Sequence, residues 1–102
     1  MRKAYIYFDG RPAGSLVEEE GRYIFEYFSD YKGPSISRSM PRENKRFEFR
    51  DFPPFFDGLL PEGVNLDAFL KKAKIDRRDY FSQLLAVGKD LVGAVTVGEW
   101  RE

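Results

Sequence analysis

The stretch DFPPFFDGLLPEG, residues 51–63, decides how this chain folds. It places three phenylalanines and two leucines among three prolines and three acidic residues. Because the prolines and Gly58 interrupt regular structure, the stretch predicts one short helical turn over residues 54–60. Pro53 or Pro54 suits the first turn, where a missing N–H costs little, and Asp51 is available as the N-cap.

The apolar side chains of this stretch have two possible roles. A short turn can bury some of them against the rest of the domain, which stabilises the fold by about 1.5 to 3 kcal/mol for each large side chain. The others would then remain for a binding partner. The sequence leaves both interpretations open: a stretch that is entirely core, and one that is core on one side and a contact surface on the other.

Composition indicates one small folded domain over residues 1–102. The chain is 42% hydrophobic and 17% aromatic, which is typical of folded proteins rather than disordered ones. Its 17 basic and 17 acidic residues cancel, so we expect no direct binding to nucleic acid or to anionic lipid. Because no apolar run is long enough to span a membrane and the start does not resemble a signal peptide, we expect a cytoplasmic protein.

The chain contains neither histidine nor cysteine. This excludes Ser-His-Asp and Cys-His catalysis, the usual zinc sites and the commonest general base near neutral pH. The run Glu18, Glu19 and Glu20 does not pair carboxylates, since neighbouring residues on a strand point to opposite faces. No glycine-rich phosphate loop is present. We therefore expect no catalytic, cofactor-binding or metal-binding residues, and no enzyme.

The first half of the sequence predicts an antiparallel sheet. Residues 3–8 and 13–19 read as a hairpin around the turn DGRP at residues 9–12. Residues 22–28 alternate with one mostly aromatic face, as a third strand does. Residues 29–44 read as loop with a possible extended piece at 35–40, and residues 46–49 as another short strand.

The second half predicts helices and a last strand. Asn65 is expected to cap the first helix, with Val64 and Phe69 packed as a hydrophobic staple, although Val64 could instead project from a turn. Asp76 is expected to cap the second helix, with Asp79 as its capping-box acid and Tyr80 in its buried stripe. Residues 91–97 are apolar on both faces, which predicts an interior strand. The predicted fold class is α+β: a small antiparallel sheet packed with two or three short helices.

Three blocks carry a resemblance to a known family: PSISRSMP at residues 34–41, FFDGLLPE at 55–62 and FSQLLAVGKDLVGAVTV at 81–97. Together they resemble the N-terminal subdomain of the HipA family of serine/threonine kinases, the toxins of bacterial toxin–antitoxin systems. The chain departs from the family pattern at Arg38, where an apolar residue is usual, and at Gly58, where asparagine is common. In HipA the ATP-binding loop, catalytic aspartate and metal ligands follow this subdomain, so no active-site residue can be carried over.

Stand-alone, HipS-like members of the family belong to tripartite HipBST systems. The resemblance therefore implies an antitoxin that binds and inhibits a separate HipT-like kinase directed at an aminoacyl-tRNA synthetase. It also implies a HipB-like DNA-binding protein in the same complex. The alternative is a structural or activating subunit that completes the N-terminal part of a split HipA-like kinase.

A subdomain that normally docks within a longer chain must keep an apolar docking face. We assign that face to residues 55–60 and to the adjoining turn over residues 61–64. The predicted partner-binding residues are Phe55, Phe56, Asp57, Leu59, Leu60, Pro61, Glu62, Gly63 and Val64.

Overall fold

The computed structural model describes residues 1–100, which form a five-stranded antiparallel sheet and three α-helices. The sheet order is β4-β3-β2-β1-β5. The strands are β1 (Arg2–Phe8), β2 (Arg11–Glu19), β3 (Arg22–Tyr27), β4 (Arg46–Phe49) and β5 (Val95–Glu99). The helices are α1 (Pro54–Asp57), α2 (Gly63–Ala73) and α3 (Tyr80–Val87), and short 3-10 turns lie at Arg42–Asn44 and Gly88–Asp90. The predicted α+β class, with a small antiparallel sheet and short helices, is confirmed.

One face of the sheet forms the core. Ala4, Leu16 and Phe25 are paired neighbours across β1, β2 and β3, and all three are fully buried. The helices cover this face: the ring of Phe56 in α1 lies 5.9 Å from that of Phe25, and the Arg2 guanidinium lies 5.0 Å from the ring of Phe81 in α3. The protein therefore has two layers, with its core between them.

The strands of the first half follow the predicted pattern. The hairpin of β1 and β2 turns at Asp9 and Gly10, both of which have positive φ. Phe25 and Tyr27 of β3 point into the core, as the alternation predicts. The strand expected at residues 46–49 is β4, which pairs with β3.

The prediction of an interior strand at residues 91–97 was wrong. The strand β5 begins at Val95 and pairs with β1, so it lies at the edge of the sheet, and Val92 is 100% exposed. Within residues 91–97 only Val95 and Val97 are buried, and the turn Gly88–Asp90 packs closely beside β5. A Cβ on Gly88 would overlap the carbonyl oxygen of Val97, so this edge strand is covered by a neighbouring turn rather than by a strand.

The loop over residues 29–44 is organised by the hydroxyl of Tyr27. This hydroxyl accepts a hydrogen bond from the Ile36 N–H at 2.9 Å and donates one to the Met40 carbonyl at 2.5 Å. The possible extended piece at 35–40 is limited to a single bridge between Ser37 and Met40. Ile36 and Met40 are buried whereas Arg38 is exposed, so the unusual residue of this block points to solvent.

Two predicted helix starts were wrong. Asp51 does not cap α1, whose N-cap is Pro53 with no side-chain hydrogen bond. Helix α2 begins at Gly63, after Glu62 in an extended conformation, and not after Asn65. Val64 therefore lies within the first helical turn, where it is 81% exposed, and the predicted staple does not form.

The start of α3 also differs from the prediction. The carboxylate of Asp76 accepts a hydrogen bond from the Arg78 N–H at 2.8 Å, which closes a turn before the helix. The N-cap is Asp79, whose carboxylate accepts from the Ser82 N–H at 3.2 Å. The helix thus starts at Tyr80, which is exposed instead of buried.

An ion-pair network ties the start of α3 to the sheet. The Arg2 guanidinium lies 2.7 Å from the Glu18 carboxylate and 2.9 Å from that of Asp79. Hydrogen bonding to Arg2 holds the pKa of Glu18 below its usual value, against the opposing effect of burial. Burial raises the pKa of Asp79, but hydrogen bonds from Arg2 and Ser82 outweigh it and leave that pKa lowered.

The α-helices within residues 1–100 are all too short and too polar to cross a lipid bilayer.

Replacing Tyr27 by phenylalanine is expected to destabilise the protein. The loss of the hydroxyl leaves the Ile36 N–H and the Met40 carbonyl buried without this partner, which costs about 1–3 kcal/mol. Urea unfolding followed by circular dichroism measures the change. The matched control is Tyr80→Phe at an exposed tyrosine, expected to shift stability by less than about 0.5 kcal/mol. Equal stability of the two variants would contradict the role of Tyr27.

Replacing Arg2 by methionine tests the ion-pair network through its dependence on pH. Because the folded pKa values of Glu18 and Asp79 are lowered, their stabilisation is present above the unfolded values and is lost as the pH falls through the folded ones. At neutral pH we expect a loss of about 1 kcal/mol, a modest value because the groups are partly exposed.

That difference between wild type and Arg2→Met should shrink as the pH falls below about 4. Urea unfolding at a series of pH values checks this. The control is Arg22→Met, whose exposed pair with Glu48 spans 3.6 Å. A stability difference for Arg2→Met that stays constant from neutral to acid pH would show that the contact with the Phe81 ring, and not the ion pairs with Glu18 and Asp79, explains the loss.

Candidate functional site

The predicted partner-binding stretch divides between the core and the surface. Phe56 is 0% exposed and Leu60 is 8% exposed, and both belong to the hydrophobic core. Phe56 contacts Phe25 of the sheet and the ring of Phe55, whose centroid is 5.2 Å away. Phe56 cannot touch a partner in this conformation, so its prediction as a binding residue is corrected. Leu60 still lines a surface crevice, and its binding role stays a prediction. Both residues anchor the stretch in the core.

Backbone hydrogen bonds hold the stretch rigid around Phe56. The Asp57 N–H donates to the Pro53 carbonyl at 3.0 Å, and the Leu60 N–H donates to the Asp57 carbonyl at 3.1 Å. Pro53 is itself buried. A short helix closed in this way presents its remaining side chains in fixed directions, which lowers the entropy cost of binding.

Phe55 and Leu59 line an apolar crevice of about 260 Å³ on one side of the stretch. Both side chains are half-buried. The other residues of this crevice, which we call the apolar crevice, are Phe8, Ile36, Val92, Gly93, Ala94 and Val95. Sequence reasoning missed Val92, because it was assigned to an interior strand. Its full exposure beside Phe55 makes it part of the surface available here.

The turn of Pro61, Glu62 and Gly63 faces a second crevice, of about 250 Å³, on the other side. This crevice, which we call the turn crevice, is completed by Asp57, Leu60, Leu66, Tyr80 and Gln83. Gly63 has φ +58°, a conformation that side chains disfavour, and it starts α2. Directly after it, Val64 projects into solvent.

Tyr80 is a second surface residue that sequence reasoning missed. It was predicted in the buried stripe of α3, but the buried position is taken by Gln83. The side-chain amide of Gln83 donates to the carbonyls of Asp76 at 3.2 Å and Arg77 at 2.9 Å, which satisfies it inside the protein. The signal was Asp79 as the N-cap, since it makes Tyr80 the first residue of the helix.

The side chains of the site offer apolar contacts and negative charge. The site combines exposed apolar groups, chiefly Val64 and Val92, with the exposed carboxylates of Asp57 and Glu62. In the part of the chain that the structure describes, no three histidine, cysteine, aspartate or glutamate side chains converge as a metal site would need. The arrangement suits a protein partner with an apolar ridge and flanking basic groups.

Comparisons with known proteins agree with this fold. Residues 4–98 match the family described as the HipA N-terminal domain. An uncharacterized protein of Haemophilus influenzae is 31% identical over 102 residues, covering 100% of this chain and 96% of that protein. A solved structure described as the N-terminal domain of HipA toxin superposes with a TM-score of 0.80 at 28% identity, covering 100% of this chain and 95% of that one.

Two longer relatives come from Sinorhizobium fredii. The protein named "Putative kinase Y4dM" is 36% identical over 99 residues, covering 86% of this chain, and "Putative kinase Y4mE" is 28% identical over 100 residues, covering 93%. The chain spans only 24% of the length of each. The match over residues 4–98 places the chain in the HipA N-terminal domain family.

Proposed function

We propose that this protein is an antitoxin that binds and inhibits a separate HipA-like serine/threonine kinase of the HipT type. The observation that carries the proposal is exposed apolar surface on two sides of the stretch anchored by Phe56. Val92 lies with the half-buried Phe55 and Leu59 at the apolar crevice, and Val64 projects directly after the turn of residues 61–63. It lies on a domain whose longer relatives are named as kinases and extend well beyond the matched region. A surface that docks within one chain in such relatives would bind between chains here.

Inhibition requires more than contact. A bound protein lowers kinase activity only if it binds an inactive arrangement more tightly than the active one, or if it blocks the substrate. The rigid turn of Pro61, Glu62 and Gly63 is suited to the second route, because it projects Val64 outward from a fixed backbone. The first route would use the apolar crevice to hold one arrangement of a kinase lobe.

The proposal includes a three-protein complex that acts in the cytoplasm. A HipB-like DNA-binding protein would join this chain and the kinase, as in the family systems that the sequence resembles. The formal charge of the chain is zero, so DNA contact by the complex is assigned to the HipB-like member.

A second candidate function is a structural or activating subunit. It is favoured by the near-complete superposition on the N-terminal domain of a HipA toxin, which covers 95% of that domain. A chain that replaces the whole domain would complete a split kinase and raise its activity. The two functions predict opposite changes in phosphorylation rate.

The division of the stretch between core and surface predicts that two substitutions destabilise the protein to very different extents. Phe56→Ala removes a fully buried ring and is expected to cost about 3–5 kcal/mol. Val64→Ala removes a side chain that is 81% exposed and should change stability by less than about 0.5 kcal/mol. Chemical unfolding of both variants measures the difference. A small effect at Phe56 would contradict its role as the anchor.

Val64→Asp is expected to weaken binding to a HipT-like kinase whose reading frame adjoins that of this chain. Placing a carboxylate in an apolar contact should raise the Kd by about tenfold or more, or about 1.4 kcal/mol. Isothermal titration calorimetry measures the affinity, and circular dichroism checks the fold. The control is Ala86→Asp, at an exposed position that lines neither crevice. Equal affinities for wild type and Val64→Asp would remove residue 64 from the interface.

The same purified proteins distinguish the two candidate functions. Autophosphorylation of the kinase should fall when wild-type chain is added in excess, and should fall less with Val64→Asp at equal concentration. Stimulation by the wild type would favour the activating subunit instead. Absence of any complex would overturn both.

A further inference from the structure

The face of the sheet turned away from the helices carries a group of partly exposed aromatic side chains. On β1, Tyr5 and Tyr7 alternate with the buried Ala4 and Ile6, so they point to the opposite side of the sheet. The same side of the sheet continues through the cross-strand neighbours of these residues on β2 and β3. We call it the outer sheet face, and its large side chains are Tyr5, Tyr7, Val17, Ile24, Phe28 and Trp100, all half-buried.

Trp100 organises this face. Its ring stacks on Tyr5 with centroids 4.3 Å apart and planes 18° apart, and lies 6.3 Å from the ring of Phe28. The Lys3 ammonium sits over the Trp100 ring at 3.8 Å. Phe28 is held against the sheet by its N–H, which donates to the Ala13 carbonyl at 2.9 Å. The cluster is therefore ordered by its own contacts, while each of its rings remains partly exposed to solvent.

The place where β5 ends indicates what covers this surface. Trp100 follows the last residue of β5 and lies on the outer sheet face. The family is described as an N-terminal domain. The match covers 24% of each Sinorhizobium relative, so about three quarters of each relative lies outside it. The polypeptide that follows the domain in such relatives thus leaves beside Tyr5 and Trp100.

We propose that the outer sheet face docks the kinase portion of a HipA-family protein, through an apolar surface that covers Tyr5, Phe28 and Trp100. This inference rests on the proposed function, since it assumes that the chain binds such a kinase. It assigns the anchoring contact to the side of the sheet opposite α1 and the two crevices. The surface around Val64 is then left to act on a different part of the kinase.

Charge argues against a nucleic acid on this face. Along the sheet beyond the aromatic cluster, Arg46 lies 4.0 Å from the Glu26 carboxylate and 3.5 Å from that of Glu48. Basic and acidic groups therefore alternate and neutralise one another, whereas a polyanion needs an excess of basic groups. A protein surface that is apolar at its centre and mixed in charge at its rim is the complementary partner.

The absence of cysteine from the chain permits a direct footprint. Val17→Cys places one thiol on the outer sheet face, between the paired residues Lys3 and Ile24. Lys72→Cys places one on the exposed surface of α2 as the control. A maleimide is added to each variant, alone and with an excess of the adjoining HipT-like kinase, and labelling of this chain is followed by mass spectrometry.

We expect the kinase to slow labelling of Val17→Cys by about tenfold or more and to leave Lys72→Cys within about twofold, because interface cores exclude solvent. Size-exclusion chromatography reports whether the complex has formed. A formed complex with unchanged labelling at Val17 overturns the inference and leaves the proposed function standing. Failure of the complex to form overturns both. Protection of Val17→Cys that grows with its own concentration, without kinase, assigns the face to a second copy and overturns the inference.

A second variant keeps the test independent of labelling. Tyr5→Ser removes the ring on which Trp100 stacks. For protein that remains folded by circular dichroism, we expect the Kd for the kinase to rise by about tenfold or more, as for aromatic anchors at interface centres. The control is Phe69→Ser, which removes a half-buried ring from α2 and lines neither crevice nor the outer sheet face. Wild-type affinity of Tyr5→Ser would contradict the proposal.

Discussion

The contact of Phe56 with Phe25 joins the two layers of this protein. The helix α1 within residues 51–63 is only four residues long, so the stretch cannot be held by a long helical face. One fully buried ring against the sheet does this instead, with short backbone hydrogen bonds around it. The chain on either side is thereby fixed at the surface. Both crevices and the exposed start of α2 take their positions from this contact.

Much of the fold could be predicted from the sequence because its strongest signals are local. The alternation of Tyr23, Phe25 and Tyr27 has the period of a strand with one buried face, and the structure has such a strand. The start of α3 was harder to predict, since two acids compete for its cap. Asp76 uses its carboxylate in a turn, which leaves the cap to Asp79. Such competition is settled by tertiary geometry and is not visible in the spacing alone.

The sequence predicted which segment holds the candidate site, but not which of its side chains reach the surface. Successive residues of a helix diverge by about 100°, so adjacent side chains in the stretch separate into core and solvent. Phe56 went to the core and Phe55 to the apolar crevice. The outer sheet face had no sequence signal at all. Tyr5 and Trp100 are brought together by the pairing of β1 with β5, which joins the two ends of the chain.

The two edge strands of the sheet, β4 and β5, are protected against pairing with other molecules, which matters in concentrated solution. The strand β4 is only four residues long and presents Arg46 and Glu48, while β5 is screened by the turn Gly88–Asp90. Edge strands that are short, charged or covered offer few free backbone hydrogen-bonding groups to a strand of another molecule. Both edges therefore disfavour edge-to-edge association into fibrils, even though the faces of the domain keep apolar surface for partners.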